Sequence, residues 1–260
     1  MSRTAPATDR SRDMEESAWW DLWNTSYRAE DNRDETSTEL FTHVVGVVQQ
    51  ITNGRGCRIL EVACGTGTLS RLLSFTSYRG LDMSSAAIEI ARQKAELIQL
   101  QPERRRPTYE AADFHDWPLP AQQFDLVLCI DAITCFRDQQ FTLRKISQGL
   151  ATGGHVVLTS VNPFVYNRIR RADGGRPQNG PVSHWLSRRE LHELILQAGL
   201  TIIHSYTIMP RGNVGFLRVI NSRRLNQAFG PHVAAFLRLL KEGAGLGQYR
   251  VVVARKEGRV

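Results

Sequence analysis

An apolar segment that runs into a glycine turn constrains the fold of this chain more than any other feature. Arg58–Val62 has the composition of a buried strand, and the turn that follows it contains Gly65 and Gly67. Glycine has no Cβ, so the backbone of such a turn can lie close to a ligand where the next helix begins. Further along, 21 residues after Glu61, a short strand ends in Asp82, where a nucleoside-binding α/β sheet places a carboxylate for ribose hydroxyls. Together these signals predict an adenosine-type cofactor near the N-terminal third.

The composition is typical of a globular domain. The chain has 260 residues, of which 42% are hydrophobic, and this is enough for one domain with a full core. No apolar run approaches the roughly 18 residues of a membrane span. The polar segment 1–17 also lacks the apolar centre of a secretory signal. We therefore expect a cytoplasmic protein with no membrane partner, in which residues 1–17 are disordered.

The cysteines give no sign of a metal site. They form no CxxC pair and have no His-rich spacing, and three of them fall in or beside predicted strands. Free thiols in a reducing compartment are the favoured interpretation, with neither a bound metal nor a disulfide framework. The four residues are Cys57, Cys64, Cys129 and Cys135.

A net charge of +7 leaves two interpretations open. It is compatible with an RNA partner and equally with a solvated, arginine-rich surface. The basic residues are scattered, with modest clusters at 104–106 and 168–176. No Lys/Arg run alternates with aromatic residues, as it does in a nucleic-acid groove. The solvated surface is therefore favoured over a nucleic-acid partner.

Short apolar segments alternate with amphipathic helices along most of the chain. This alternation predicts a parallel, doubly wound α/β sheet with helices on both faces. The helix after Asp82 begins at Ser84 or Ser85, both good N-cap residues. Its apolar face consists of Ala87, Ile88, Ala91 and Ala95. The predicted strands are Arg58–Val62, Tyr78–Leu81, Thr108–Ala112, Phe124–Ile130, His155–Val161, one that starts over Leu200–His204, and Gln248–Ala254.

The C-terminal third departs from this regular alternation. Residues 162–184 are basic and rich in Gly, Pro and Asn, which predicts a loop with a short helix. Ser187 and Glu190 then form a capping box, and Gly199 ends the helix that they begin. One or two helices over 213–241 separate the last two strands, which predicts an antiparallel, hairpin-like edge of the sheet.

Five segments in order along the chain carry motifs that occur together in one family. They are Glu61–Gly67, Asp82, Ala112–Phe114, Phe124–Cys129, and a turn before the fifth strand that contains Gly149, Leu150, Gly153 and Gly154. At these separations they resemble the class I S-adenosylmethionine-dependent methyltransferases, and the resemblance covers residues 40–254. It implies a Rossmann-like, doubly wound sheet of seven strands, mostly parallel with the last strand antiparallel.

The first motif departs from the family pattern at one position. The family has acidic-x-Gly-x-Gly-x-Gly, and Ala63 stands here at the first glycine. A methyl group fits there if φ is negative, so we expect a negative φ and an intact cofactor site. The resemblance implies that Gly65 and Gly67 let the backbone approach the methionine part of the cofactor. It also implies that Glu61 pairs with the cationic amino group.

The remaining motifs imply the contacts to the adenosine part. Asp82 would accept hydrogen bonds from both ribose hydroxyls, and Met83 would pack against adenine. Asp113 would accept from the adenine amino group while Phe114 stacks on the ring. Met83 and Phe114 are almost equally well explained as plain core residues. Cys129, at the end of the fourth-strand motif, completes the predicted cofactor set, whereas Asp125 in the same motif is interpreted as structural.

Candidates for acid–base chemistry lie after the fourth and fifth strands, where open α/β sheets bind their ligands. Methyl transfer from a sulfonium is an in-line displacement, in which a general base helps only if the acceptor must lose a proton. The candidates are Asp131, Tyr166 and His184, although His184 is equally a surface or packing residue. Trp185 is a candidate substrate contact beside His184.

Aromatic residues near the N-terminus have helical spacing. Trp19, Trp20, Trp23 and Tyr27 would share one face of a helix. They either anchor this helix on the core or, as N-terminal helices of the resembled family often do, cover the cofactor and the acceptor. In the second interpretation Trp19, Trp23 and Tyr27 exclude water and attract the sulfonium cation.

The function that these observations favour is methylation of O, N or C of a small molecule, possibly a secondary metabolite. Two alternatives remain open: an RNA or protein methyltransferase that uses the basic surface, and a non-catalytic cofactor-binding protein. Against a base-amino methyltransferase, the place of an Asn/Asp-Pro-Pro-Tyr/Phe segment is taken by residues 129–132, Cys-Ile-Asp-Ala. The predicted organisation is a disordered segment 1–17, a helical lid 18–56 and a methyltransferase domain 57–260. That domain has insertions at about 162–186 and 213–243, and a monomer or homodimer is expected.

Overall fold

The computed structural model describes most of the predicted domain. The described residues are 17–21, 35–96, 106–165, 184–208, 236, 239 and 242–258. Trp23, Tyr27 and Tyr166 lie outside them, as do most of the two predicted insertions and nearly all of segment 1–17. The predictions made for those residues therefore stay predictions.

One sheet of seven strands forms the centre of the fold. The strands are β1 (Cys57–Val62), β2 (Phe75–Asp82), β3 (Thr108–Ala111), β4 (Phe124–Ile130), β5 (Leu150–Val161), β6 (Leu200–Ile208) and β7 (Tyr249–Lys256). Their order across the sheet is β3-β2-β1-β4-β5-β7-β6. Strands β1 to β5 pair in parallel, and β7 runs antiparallel to both β5 and β6. The prediction of a mostly parallel sheet with an antiparallel last strand is confirmed, with β6 rather than β7 at the edge.

Helices cover both faces of the sheet, as the alternation of elements predicted. They are α1 (Glu35–Thr52), α2 (Ser85–Glu96), α3 (Gln139–Gly149) and α4 (Arg188–Gln197). Buried residues of α1 and α2 pack with one face of the sheet, and those of α3 and α4 pack with the other. The predicted apolar face of α2 is buried, and the capping box of Ser187 and Glu190 begins α4. Each helix thus contributes an apolar stripe to a core on one side of the sheet.

Part of the predicted lid belongs to this core. In α1, Val44 is fully buried and Val48 is 2% exposed, and both pack in the cluster that contains Ile59 of β1. Residues 35–52 therefore form a covering layer of the sheet, and only the segment before them is left as a candidate lid.

Strand β5 begins five residues before the predicted start at His155. The prediction treated Gly153 and Gly154 as a turn, but both lie within the strand. A Cβ on Gly154 would lie 2.8 Å from the carbonyl oxygen of Ala151 and 3.1 Å from that of Asp125. Glycine is needed there because a carbonyl oxygen of the same strand and one of β4 both approach closely, and the approach of β4 depends on tertiary structure.

An ion pair joins β1 to β4 at the amino end of the sheet. The Asp125 carboxylate accepts hydrogen bonds from Arg58 through its backbone N–H at 2.9 Å, Nε at 2.9 Å and Nη2 at 2.6 Å. The hydrogen bond from Arg58 lowers the pKa of Asp125. The carboxyl ends of the same strands, where the chain crosses from β1 to neighbours on either side, are left to form a cleft.

Candidate active site

A cleft opens at the carboxyl edge of the sheet, between the segments that follow β1, β2, β3 and β4. Four short stretches form most of its wall: Ala63 and Gly65; Asp82 and Met83; Asp113 to His115; and Asp131 and Ala132. Cys135, Phe136 and Arg137 close one side, and Trp20 from the N-terminal helical segment lies on another. Six of the nine predicted cofactor residues meet in this cleft: Ala63, Gly65, Asp82, Met83, Asp113 and Phe114.

In the turn after β1, the predicted backbone conformation of Ala63 is wrong. Ala63 has φ +57°, not the negative φ that we expected, and Gly65 has φ +51°. A left-handed conformation costs an L-residue about 1–2 kcal/mol because Cβ comes too close to the following carbonyl oxygen. The methyl group is therefore held in a strained position on the wall of the cleft. Strain of this kind persists only where the surrounding structure fixes the backbone.

Asp82 fixes part of that backbone. One carboxylate oxygen accepts from the backbone N–H of Gly65 at 2.7 Å, and the other accepts from that of Ser84 at 2.9 Å. The carboxylate thus ties the glycine turn to the beginning of α2. Each carboxylate oxygen has two lone pairs, so a ribose hydroxyl can be accepted without breaking either bond.

Gly67 packs against the core side of the turn, whereas Gly65 lines the cleft. Gly67 is not among the described residues that line the cleft. A Cβ on Gly67 would lie 2.6 Å from the hydroxyl oxygen of Tyr109, whose ring packs beneath the turn. A Cβ on Gly80 would lie 2.7 Å from a carbon of the same ring. These two glycines make room for Tyr109, which in turn supports the turn from below.

Glu61 and Cys129 are buried instead of facing the cleft. Glu61 is only 3% exposed and accepts a hydrogen bond from the hydroxyl of Tyr78. Burial, followed by the charge of Glu61, raises the pKa of Tyr78. Cys129 is fully buried in β4, and burial raises the pKa of its thiol. Neither is among the described residues of the cleft wall, so their contacts with a cofactor remain predictions.

The segment after β3 forms a compact aromatic wall. The Asp113 carboxylate accepts from the backbone N–H of His115 at 2.8 Å, which fixes the turn. Phe114 lines the cleft although it is 3% exposed, so it is at once a core residue and a wall residue. Its ring lies 6.3 Å from that of Phe136 in an edge-on arrangement. Lys145 lies 5.3 Å above the Phe114 ring and donates to the carbonyl of His115 at 2.7 Å.

The charges of the cleft favour a cationic ligand. Among the described residues, three carboxylates line it, those of Asp82, Asp113 and Asp131, against one guanidinium, that of Arg137. Asp131 directly follows β4 with φ +55°. Its backbone N–H donates to the backbone carbonyl of Thr159 at 3.1 Å and to the Thr159 hydroxyl at 2.8 Å. This places one predicted catalytic residue on the cleft wall in a fixed backbone conformation.

The second candidate base that the structure describes lies elsewhere. His184 lines a neighbouring groove between α3 and α4, where its Nε2 is 3.5 Å from a carboxylate oxygen of Glu190. Its side chain is 60% exposed. Arg137 lines both the groove and the cleft. Trp185 is in neither described wall, so the structure does not bring His184 and Trp185 together with Asp131.

The N-terminal aromatic segment contributes Trp20. The Trp19 ring packs edge-on against it, with 4.9 Å between ring centroids and an angle of 87°. The prediction selected Trp19, Trp23 and Tyr27, so it missed Trp20, which lines the cleft. It also missed His115, Phe136 and Arg137. His115 directly follows a recognised motif, and its position in the sequence was the signal available.

The sheet order, the glycine turn and the carboxylates after successive strands define a class I S-adenosylmethionine-dependent methyltransferase. A family model described as a methyltransferase domain matches residues 24–205, and the chain belongs to this family. The protein is thus an enzyme of the transferase class.

Relatives and a solved structure agree with this assignment. The chain is 28% identical to the phthiotriol/phenolphthiotriol dimycocerosates methyltransferase 1 of Mycobacterium ulcerans over 207 residues, which are 78% of this chain and 69% of that protein. It is 30% identical to the ubiquinone biosynthesis O-methyltransferase of Coxiella burnetii over 118 residues. That match covers 45% of this chain and about half of the relative, 48%. Magnesium protoporphyrin IX methyltransferase of Synechocystis with bound SAH shares the fold at a TM-score of 0.63, with 14% identity over 94% of this chain and all of that chain.

The described residues also bear on two other kinds of site. No helix among them is long and apolar enough to span a bilayer. Within the same part of the chain, no group of three or more His, Cys, Asp or Glu side chains is placed to hold a metal ion.

Proposed function

We propose that the protein binds S-adenosylmethionine in this cleft and transfers its methyl group to O, N or C of a small-molecule acceptor. The observation that carries the proposal is the convergence of the Gly65 turn with the carboxylates of Asp82, Asp113 and Asp131 in one cleft. The cofactor has a sulfonium and an ammonium group, and a wall with three carboxylates suits these cations. It has no phosphate, which agrees with a turn that lacks the full dinucleotide fingerprint.

Each wall segment has a role in the proposed complex. Asp82, already oriented by two backbone N–H groups, accepts from the ribose hydroxyls. Asp113 accepts from the adenine amino group, and Met83 and Phe114 enclose the ring. The backbone near Gly65 lies beside the methionine part, since glycine has no side chain of its own to block the approach.

When bound, the cofactor supplies a methyl group already activated for displacement. The tasks left to the protein are to orient the acceptor in line with the departing sulfur and to exclude water. Asp131 is the candidate base that lines the cleft, and it would receive a proton from an acceptor hydroxyl or amine. His184 would take this role only for an acceptor that extends past Arg137 into the neighbouring groove.

The small-molecule acceptor is supported by the relatives. Their names refer to dimycocerosates and to ubiquinone biosynthesis, not to RNA or protein. The basic residues remain compatible with a solvated surface, and the described residues of the cleft wall have an excess of carboxylates. A wall of this charge disfavours a polyanionic acceptor close to the reacting atoms.

The proposal is tested by titrating S-adenosylmethionine into the wild-type protein and into Asp82→Ala by calorimetry. Loss of hydrogen bonds to a charged group of this kind weakens binding by about 1.5–3 kcal/mol, or roughly 10- to 150-fold. Asp125→Ala is the matched control, because it removes a carboxylate at the opposite edge of the sheet and should leave the affinity unchanged. Absence of binding to the wild-type protein, or equal affinity in Asp82→Ala, would contradict the proposal.

The acceptor is identified by incubating the protein with metabolite extracts and a cofactor labelled in its methyl group. Label in a low-molecular-weight product supports the small-molecule assignment. Label that appears only in RNA or protein supports the alternative acceptors and rules that assignment out.

A further inference from the structure

A hydrogen-bonded junction connects the N-terminal helical segment with the beginning of α2. One oxygen of the Asp21 carboxylate accepts from the hydroxyl of Ser84 at 2.7 Å and from the backbone N–H of Ala86 at 3.0 Å. The other oxygen is 3.3 Å from the hydroxyl of Ser85, which donates to it. Asp21 therefore supplies a capping acceptor for the first turn of α2, beside the N-cap Ser84, although it lies 63 residues before Ser84 in the sequence.

The same junction reaches the proposed ribose site. Ser84 is fully buried; its backbone N–H donates to Asp82, and its hydroxyl donates to Asp21 while accepting from the backbone N–H of Ala87. Asp82 in turn holds the turn at Gly65. A continuous series of hydrogen bonds thus runs from the N-terminal segment through Ser84 to the glycine turn.

The residue next to Asp21 lines the cleft. Trp20 faces the same cavity as Asp82 and Met83, and Trp19 packs edge-on against the Trp20 ring. An indole placed here covers apolar ligand surface and attracts a cation to its face. The position of this wall depends on where the helical segment is attached, and the Asp21 carboxylate provides one attachment.

We propose that Asp21 is a positioning residue for the cofactor, which acts by holding Trp20 against the cleft. This inference rests on the proposed function, since it assumes that S-adenosylmethionine occupies the cleft. If the attachment is lost, Trp20 completes the cleft wall in only a fraction of the molecules. The apparent affinity for the cofactor is then the intrinsic affinity multiplied by that fraction.

The first measurement uses the cofactor-free protein. Acrylamide quenching of tryptophan fluorescence is compared in wild type, Asp21→Ala and Asp21→Asn, with Trp20→Phe to isolate the Trp20 signal. Asp21→Ala should raise the quenching of Trp20 because the segment detaches. Asp21→Asn keeps a carbonyl oxygen for Ser84 and Ala86, so its quenching should remain near that of wild type.

The second measurement is the affinity for S-adenosylmethionine by calorimetry. Asp21→Ala should raise Kd about five- to tenfold, because a capping interaction worth about 1 kcal/mol and its charge are lost. The Kd of Asp21→Asn should remain within about twofold of that of wild type. In steady-state assays the KM for the cofactor should rise with little change in kcat. The matched control is Ser187→Ala, which removes the N-cap of α4 and lowers stability without changing Kd.

A double-mutant cycle separates positioning from a general loss of stability. If Asp21 acts through Trp20, then Asp21→Ala should have little further effect on Kd in a Trp20→Ala background. Additive effects, or a change in melting temperature with Kd and quenching unchanged, overturn the inference. If wild type fails to bind the cofactor, the proposed function fails, while the quenching data still report whether Asp21 attaches the segment.

Discussion

The strained alanine at the cofactor turn gives the sharpest quantitative prediction. Replacing Ala63 by glycine removes a left-handed L-residue conformation that costs about 1–2 kcal/mol. Two costs oppose this gain. The higher entropy of the unfolded chain costs about 0.4–1 kcal/mol. Loss of the partly buried methyl group costs roughly half of the 0.8 kcal/mol that a fully buried one contributes. Ala63→Gly should therefore be neutral or stabilising by about 0.5 kcal/mol.

Ala132 provides the matched comparison. It also lines the cleft and is 7% exposed, but its φ is −124°, a conformation without left-handed strain. Ala132→Gly raises the entropy of the unfolded chain and removes a buried methyl group, and it relieves no strain. It should therefore be destabilising by about 1.5 kcal/mol. The free energies of unfolding of the two variants, measured in urea, should differ by about 2 kcal/mol. If Ala63→Gly is destabilised as much as Ala132→Gly, the strain at residue 63 is refuted.

Other residues of the fold give further tests. Gly67→Ala should be destabilised by about 3 kcal/mol in urea, because the new Cβ meets Tyr109 at a position with φ +70°. An unchanged unfolding midpoint would contradict that packing. Tyr78→Phe should lose about 1–3 kcal/mol, since buried Glu61 loses its donor; a neutral effect would mean that this bond contributes nothing. The pKa of Asp125 is lowered in the fold, so its contribution is present above about pH 4 and is lost as the pH falls below that value. The unfolding midpoint should therefore fall less on acidification in Asp125→Asn than in wild type. Equal acid sensitivity of the two proteins would argue against a stabilising contribution of the ionised Asp125.

The architecture was largely predictable because its signals are local. Apolar strands alternate with amphipathic helices, and the capping box at Ser187 is defined within four residues. The cofactor motifs likewise follow individual strands, so the parallel sheet brings Asp82, Asp113 and Asp131 to one edge without further information.

The features that escaped prediction depend on contacts between distant parts of the chain. The sign of φ at Ala63 is set by the turn and not by the residue type. The space beneath Gly67 is filled by Tyr109, a residue 42 positions later. The hydrogen bonds of Asp21 are made with a helix that begins more than 60 residues away. No spacing rule along the sequence reports such pairs.

The packing of Tyr109 has an evolutionary consequence. Positions 67, 80 and 109 share one small volume, in which two glycines accommodate one phenol ring. A small side chain at 109 would remove the ring that excludes a Cβ at 67 and at 80, whereas an aromatic ring there keeps both positions closed to alanine. Two obstacles would remain, namely φ +70° at 67 and the sulfur of Cys64, which lies 2.8 Å from a Cβ at 80. In an alignment of the family these three positions should vary together, although only the glycine at 67 belongs to the motif by which the family is recognised.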